Sequence, residues 1–284
     1  PAAAGQGGGA DRLMETVSGN AVLTDTSLSD AGAGGAGLDT LSHLARAEIT
    51  VGSASGVSVD ASGATFNVTV VGGAGADALT GRSGNDSLLG GDGADTLSGG
   101  PGIDWLLGEG GNDSLAGGDG DDRIVGGGGD DAIDGGAGTD RLFETADAGV
   151  AGATANGSLT LTDTSLTGTN SGTDVLTSIE RAILSGDDGD NLLDASSATL
   201  RTSLRGGAGD DTLIGGSNAD HLHAGTGTDS LVGNDGDDTL VANEGVGNDT
   251  LDAGTNVDPQ GKDTVRADLT DTVINDAMDI LHLS

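Results

Sequence analysis

The chain has no cysteine and no tyrosine, and only one tryptophan, two phenylalanines and three prolines among its 284 residues. Without cysteine there are no disulfides and no thiolate metal sites, so oxygen chemistry or packing must hold the fold. Positive charge is scarce too: ten Lys and Arg stand against 46 Asp and Glu, for a formal net charge of −36. Phosphate backbones and anionic membrane surfaces both call for clustered Lys and Arg, so this balance speaks against nucleic acid and against membranes and leaves cations as the natural partners. No apolar run approaches the roughly 18 residues of a membrane span, so membrane insertion is not expected. No amino-terminal stretch combines a basic region with an apolar core, and a start at Pro1 reads as a processed product or an excised piece. Leu, Ile, Val and Phe make up only about a fifth of the residues, which with this charge lies near the border of intrinsic disorder. Something must neutralise the self-repulsion before the chain can compact.

What the chain has instead is glycine, 56 residues of it, in strict register. Residues 72 to 143 fall into eight rows of nine: GGAGADALT, GRSGNDSLL, GGDGADTLS, GGPGIDWLL, GEGGNDSLA, GGDGDDRIV, GGGGDDAID and GGAGTDRLF. Places one and four are always Gly, place six always Asp, and place eight always Leu or Ile. A second array opens at Gly206 with GGAGDDTLI, GGSNADHLH, AGTGTDSLV and GNDGDDTLV, then loosens into ANEGVGNDTLD and AGTNVDPQGKDTVR. Those longer rows keep an aspartate followed two residues later by an apolar residue, Asp249 with Leu251 and Asp263 with Val265. GDDGDNLLD at 186 to 194 is a single degenerate row with Asn191 at its sixth place.

The arrays belong to a larger duplication: VDASGATFNVTVVGGAGADALTG and LDASSATLRTSLRGGAGDDTLIG align without gaps, and LTDTSL occurs at 23 and at 161. Two tandem modules are therefore expected, each a glycine-poorer leader followed by an array. The organisation reads as a disordered start (1–10), a first leader (11–71), a first array (72–143), a second leader (144–205), a second array (206–266) and a tail (267–284). Alternation such as Phe66, Val68, Val70 or Leu159, Leu161 points to short strands in the leaders. LDTLSHLARAEI and TDVLTSIERAIL also read as strand rather than helix, given their β-branched, turn-rich surroundings.

The nine-residue period has a physical reading. Glycines allow positive φ, so the first six residues can turn sharply, and the last three make a very short strand with place eight inward and places seven and nine outward. Two rows then close one coil of 18 residues, with coils stacked about 4.8 Å apart in parallel. Leu79, Leu97, Leu115 and Ile133 should form one inner ladder and Leu88, Leu106, Ile124 and Leu142 the facing one. The fold class is all-β, a parallel β-roll or β-solenoid. Stacked turns bring the carboxylates of rows n and n+2 together, which repels unless a hard divalent cation lies between them. Ca²⁺, taking six to eight carboxylate and carbonyl oxygens in flexible geometry, suits such a place better than Mg²⁺. About ten such gaps exist, and ten ions would cancel about 20 of the negative charges. Binding and folding should then be one event, since no site exists before two turns stack.

These rows are the GGxGxDxUx nonapeptide, and the chain resembles the RTX family of secreted bacterial proteins with calcium-binding β-rolls. The resemblance implies Ca²⁺ held by the sixth-place Asp77, Asp86, Asp95, Asp104, Asp113, Asp122, Asp131 and Asp140, then Asp211, Asp220, Asp229, Asp238, Asp249 and Asp263. Third- and fifth-place side chains would help: Asn85, Asp92, Asn112, Asp119, Asp121, Asp130, Asp210, Asp235, Asp237 and Asn248, together with backbone carbonyls. Pro101 and Ile103 depart from the pattern. The resemblance also implies export by a type I system, folding outside the cell, and a role in surface-layer, adhesin or matrix architecture, with self-association or a cell-surface partner left open. An alternative is an accessory module of an exported protease, lipase or polysaccharide-modifying enzyme whose catalytic domain lies elsewhere. The tail INDAMDILHLS fits either a secretion signal or a last capping strand.

Other chemistry is poorly served. His221 and His223 flank Leu222 and face outward, but their neighbours two rows on, Thr239 and Val241, supply no third metal ligand. His43 and His282 are isolated. GAGGAG at 32 to 37 lacks a strand before it and a helix after it, the only lysine, Lys262, lacks Walker spacing, and no loop has EF-hand form. With no recognisable triad, an enzyme is not expected.

Overall fold

In the computed structural model the nine-residue rows become coils, and the coils build two units, Pro1–Arg141 and Leu142–Ser284. The structure describes residues 11–25, 27–30, 38–40, 44–51, 55–146, 157–169, 171–242, 247–254, 263–268, 270–274 and 280–283. The segment 1–10, GAGGAG, His43 and Lys262 lie outside the described residues. Among the described residues there is no helix.

In the first unit, one sheet runs through Asp11–Val17, Leu44–Val51, Asn67–Ala74, Ser87–Asp92, Trp105–Gly110 and Arg123–Gly128, all parallel. The chain alternates between this sheet and a second, in which Ser58–Gly63, Ala78–Thr80, Thr96–Pro101, Ser114–Asp119 and Ala132–Ala137 are also parallel. Leu79, Leu97, Leu115 and Ile133 pair in register, so one expected inner ladder forms whole in steps of two rows, and Leu88, Leu106 and Ile124 pair likewise as the first three rungs of the other. Each rung is at most 2 % exposed. Burying one such side chain contributes about 1.5–3 kcal/mol, so one apolar residue per row suffices once rows stack.

In the first array the strands are longer than the sequence indicates, whereas Thr212–Ile214, Ser230–Val232 and Thr250–Asp252 of the second keep the expected three residues. Most strands of the first array have six residues, as in Ser114–Asp119, and continue from places seven to nine into places one to three of the next row. Glycine is a poor strand former on its own, but here backbone pairing to coils above and below imposes the extended form. The turn shrinks to places four to six. Its glycine is demanded at place four: Gly102 has φ 157° and Gly120 φ 138°, and a Cβ on either would run into a backbone carbonyl of the coil beneath.

The leaders are coils of the same roll, opened by a meander. Ala21–Thr24, Ser27–Asp30 and Leu38–Thr40 pair antiparallel before Ala21–Thr24 joins Ser58–Gly63 in parallel. In the second unit Ser158–Thr162, Ser165–Gly168 and Gly172–Thr177 repeat the meander, and Ser158–Thr162 joins Leu192–Ser197. The duplicated LTDTSL makes the same turn in both. Thr24 Oγ1 lies 2.8 Å from Ser27 Oγ and Thr162 Oγ1 2.9 Å from Ser165 Oγ, while Asp25 and Asp163 accept the backbone N–H of Thr65 and Thr199.

The second unit continues with Arg181–Ser185, Arg201–Ala208, His221–Thr226, Thr239–Ala242, Thr264–Ala267 and Ile280–Leu283 in one parallel sheet. Leu192–Ser197, Thr212–Ile214, Ser230–Val232, Thr250–Asp252 and Thr272–Ile274 form the parallel part of the other. The insertions after 242 leave the pairing intact, and the tail ends as strand Ile280–Leu283.

Candidate metal centre

Every sixth-place aspartate sits where the turn re-enters a strand, and its carboxylate is tucked beneath the turn. Asp77, Asp86, Asp95, Asp104, Asp113, Asp122, Asp131, Asp140, Asp211, Asp220, Asp229, Asp238, Asp249 and Asp263 are all buried, none more than 5 % exposed. One oxygen, Oδ1, accepts the backbone N–H of the sixth-place residue one coil earlier. Asp95 takes that of Asp77 at 2.7 Å, Asp113 that of Asp95 at 2.8 Å and Asp131 that of Asp113 at 2.8 Å. On the other edge Asp104 accepts from Asp86, Asp122 from Asp104 and Asp140 from Asp122. The second unit has the same two columns: Asn191, Asp211, Asp229, Asp249 on one edge and Asp220, Asp238, Asp263 on the other. Sequence reading missed the next member of the first column. Asp271 accepts the N–H of Asp249 at 3.1 Å, and the signal was present in Asp271 followed two residues later by Val273.

The other carboxylate oxygen is what makes these columns unusual. Oδ2 of Asp77, Asp95, Asp104, Asp113, Asp122, Asp211, Asp229 and Asp238 is buried with no hydrogen-bond donor. Beside it is the place-one glycine, whose conservation along the array has a reason other than backbone freedom. A Cβ on Gly72, Gly90, Gly99, Gly108 or Gly117 would come within 3.0 Å of both that Oδ2 and the carbonyl oxygen of the place-one glycine in the next coil. Each turn thus keeps open a small cradle bounded by one buried carboxylate oxygen and one carbonyl oxygen.

Burial is costly for these groups. It pushes Asp104 up to about 7, partly opposed by the amide of Asp86 and reinforced by the carboxylates of Asp86 and Asp122. Asp113 and Asp122 reach about 6, Asp211 about 7, Asp238 about 8 and Asp249 about 6, with burial the first cause in each. An orphan buried acceptor carrying charge, stacked on its like, calls for a cation.

Four turns solve the problem internally, one of them by the N–H of Asp268, which donates to Oδ2 of Asp271 at 2.7 Å. Where place two is Arg82 or Gly216, its N–H turns in and donates to Oδ2 of the row's own aspartate, Asp86 at 3.0 Å and Asp220 at 2.6 Å. In the degenerate row the N–H of Asp187 donates to Asn191 Oδ1 at 2.8 Å, and Asn191 Nδ2 donates to the carbonyl of Gly157 at 3.1 Å.

The third- and fifth-place side chains take a different part. Asn85, Asn112, Asp121 and Asp210 each use Oδ1 to accept the fifth-place N–H of the next coil, from Ile103, Asp130, Thr139 and Thr228. They are exposed, as are Asp92, Asp119, Asp130, Asp237 and Asn248, and Asp235 is half-buried. Ile103 cannot continue this bracket, and it and Trp105 are each 51 % exposed. Among the described residues no three His, Asp or Glu side chains converge on one point, and His221 and His223 gain no third ligand. An ion here would therefore be held by one or two carboxylates and by carbonyl oxygens, a donor set that suits Ca²⁺ and not a thiolate- or imidazole-seeking metal.

A scan of protein families finds the RTX calcium-binding nonapeptide repeat four times, over residues 71–106, 107–142, 203–231 and 223–258. A search of curated proteins finds no match. The matched segments are the coils whose edges carry the aspartate columns, and the parallel roll they build is a structural calcium-binding architecture, not a catalytic one. Over residues 71–142 and 203–258 the chain is built of the RTX calcium-binding nonapeptide repeat.

Proposed function

We propose that the chain is a calcium-dependently folding structural module of a secreted bacterial protein, serving surface-layer, adhesin or matrix architecture. The supporting observation is the run of buried carboxylate oxygens without donors, stacked coil upon coil along each edge. About ten calcium ions would sit between successive sixth-place aspartates, supplying positive charge where stacked carboxylates otherwise repel. Asp104, for example, would share ions with Asp86 and Asp122, and Asp113 with Asp95 and Asp131. The place-one carbonyls face the same cradle and complete the oxygen set. The third- and fifth-place side chains shape the turn from outside. Asp86, Asp220 and Asn191, already satisfied by their own turns, are the weakest ion sites. Each module, leader and array together, folds as one piece because its coils share both sheets.

Such a chain stays unfolded where free calcium is low and folds once outside the cell, because the ion binds only the stacked turns. The test is far-ultraviolet circular dichroism of the chain in EGTA and in calcium. A cooperative gain of β-sheet on adding calcium is expected, and a spectrum unchanged between the two defeats the proposal.

A further inference from the structure

Among the described residues, the positive charge of the second unit is gathered on one face. Its four arginines, Arg181, Arg201, Arg205 and Arg266, lie on three strands of a single sheet, with His221 and His223 on a strand between them. All point outward, since alternate residues on the same strands, Ala182, Leu204, Leu222 and Val265, are buried. The strands of the opposite sheet in this unit contain no Arg, Lys or His. Parallel pairing sets Arg181 directly beside Arg201 and Arg205 beside His223, and Val241 lies between His223 and Arg266. Val241 points outward yet is only 7 % exposed.

This arrangement works against folding. Like charges directly opposite in a sheet destabilise it, and among the described residues none of the four arginines lies within ion-pair distance of a carboxylate, in a chain with 46 acidic residues to choose from. The face is also poor chemistry for a protein partner: between the cations lie the hydroxyls of Ser203, Thr239 and Thr264, there is no aromatic anchor, and the apolar side chains on it, Ile183 and Val241, are half-buried and buried. Single-stranded nucleic acid needs aromatic platforms, which are likewise missing. A straight file of guanidinium groups with interleaved hydroxyls suits a linear chain bearing carboxylates or sulfates and many hydroxyls. From Arg205 to Arg266 is three strand steps, about 14 Å, enough to span several sugar units.

We propose that the outward face formed by Arg201, Arg205, His221, His223 and Arg266 binds an anionic polysaccharide. Guanidinium forks grip its charged groups, and the imidazoles and hydroxyls meet its ring hydroxyls. The face is assembled from strands far apart in the chain, so it exists only in the folded roll; it depends on the fold and not on how many ions hold it.

The test uses the full chain in saturating calcium with dextran sulfate as probe and unsubstituted dextran of equal length as control. Dextran sulfate should bind and dextran should not. The combined Arg201→Ala, Arg205→Ala, Arg266→Ala variant should lose about tenfold or more in affinity, and its plot of log K against log salt should flatten by about 2–3. Arg46→Ala with Arg123→Ala, in the first unit, should leave both unchanged. Circular dichroism reports whether the triple variant folds. If it does not, Arg205→Gln alone, which keeps the side-chain stem, should still weaken binding severalfold. Equal binding by wild type and the folded triple variant, or the Arg205→Gln variant where the triple does not fold, overturns the proposal, as does equal binding of dextran. So does tighter binding of duplex DNA, or a concentration-dependent self-association that the triple variant abolishes.

Discussion

Asp104→Asn is the substitution on which the calcium-free and calcium-bound forms of the roll should disagree in sign. Without calcium, Asp104 holds a buried Oδ2 with no donor, and burial raises its pKa to about 7. Asparagine keeps Oδ1 for the N–H of Asp86, 2.7 Å away, and replaces the orphan oxygen with an amide NH₂ near the carbonyl of Gly117. Removing an unsatisfied buried acceptor is worth about 1–3 kcal/mol, so the calcium-free variant should be more stable than the parent by about that much. The chain already carries an asparagine in a column at Asn191, with its amide turned the other way: Oδ1 accepts the N–H of Asp187 and Nδ2 donates to Gly157 and Asp187. With calcium the balance reverses. Asp104 lies between Asp86 and Asp122 in its column, so the change touches two gaps. A site at hundredfold excess of ligand over Kd contributes about 2.7 kcal/mol, and weakening two should cost about 3–5 kcal/mol. Urea unfolding followed by circular dichroism, in saturating calcium and in EGTA with a stabilising osmolyte, gives both numbers. A loss of stability in both conditions, or no change in either, refutes the reasoning that the second oxygen is reserved for an ion.

Gly99→Ala puts a methyl into the cradle between Asp104 Oδ2 and the Gly117 carbonyl. It should raise the calcium midpoint of folding severalfold, and an unchanged midpoint means the cradle is not where the ion sits. Leu106→Ala, at a fully buried rung, should cost about 2–5 kcal/mol in calcium by urea unfolding, whereas Leu107→Ala, outward and half-buried next to it, should cost far less. The pH dependence follows from carboxylates raised above their unfolded value of 3.8. The calcium-free fold binds the extra protons, so its stability is greatest below that value and is lost as pH rises through the folded values of about 6 to 8. In EGTA the β-sheet signal should therefore fall across that window, and a signal that rises with pH contradicts the assignment.

The roll itself was legible in the sequence because its two requirements, an apolar residue at place eight and glycine at fixed places, repeat without a slip through eight rows. Leu97 pairs with Leu79 and Leu115 as the period demands. The stacking of Asp122 with Asp104 and Asp140 was legible for the same reason. Strand length was not: Gly117 and Gly118 look like turn residues, and only pairing to neighbouring coils makes them strand. Nor was the reason for glycine at place one, which is the nearness of a carboxylate oxygen from five residues on and of a carbonyl from the next coil. The internal capping of Asp86 and Asp220 depends on which way one peptide turns. Arg82 gave a hint of it, since a side chain there resists positive φ, but Gly216 gave none, and Glu109 adopts φ 74° at the same place in its row. The antiparallel meanders were hidden because LTDTSL signals a turn only through contacts between its own side chains.

The central claim is that ion binding and folding are one event along the aspartate columns. Equilibrium dialysis with radioactive calcium, run beside circular dichroism on the same samples, measures both at once. The two curves should rise together over the same range of free calcium and level off at about ten ions per chain. Full β-sheet before any ion is taken up, or uptake of only one or two ions, would contradict it.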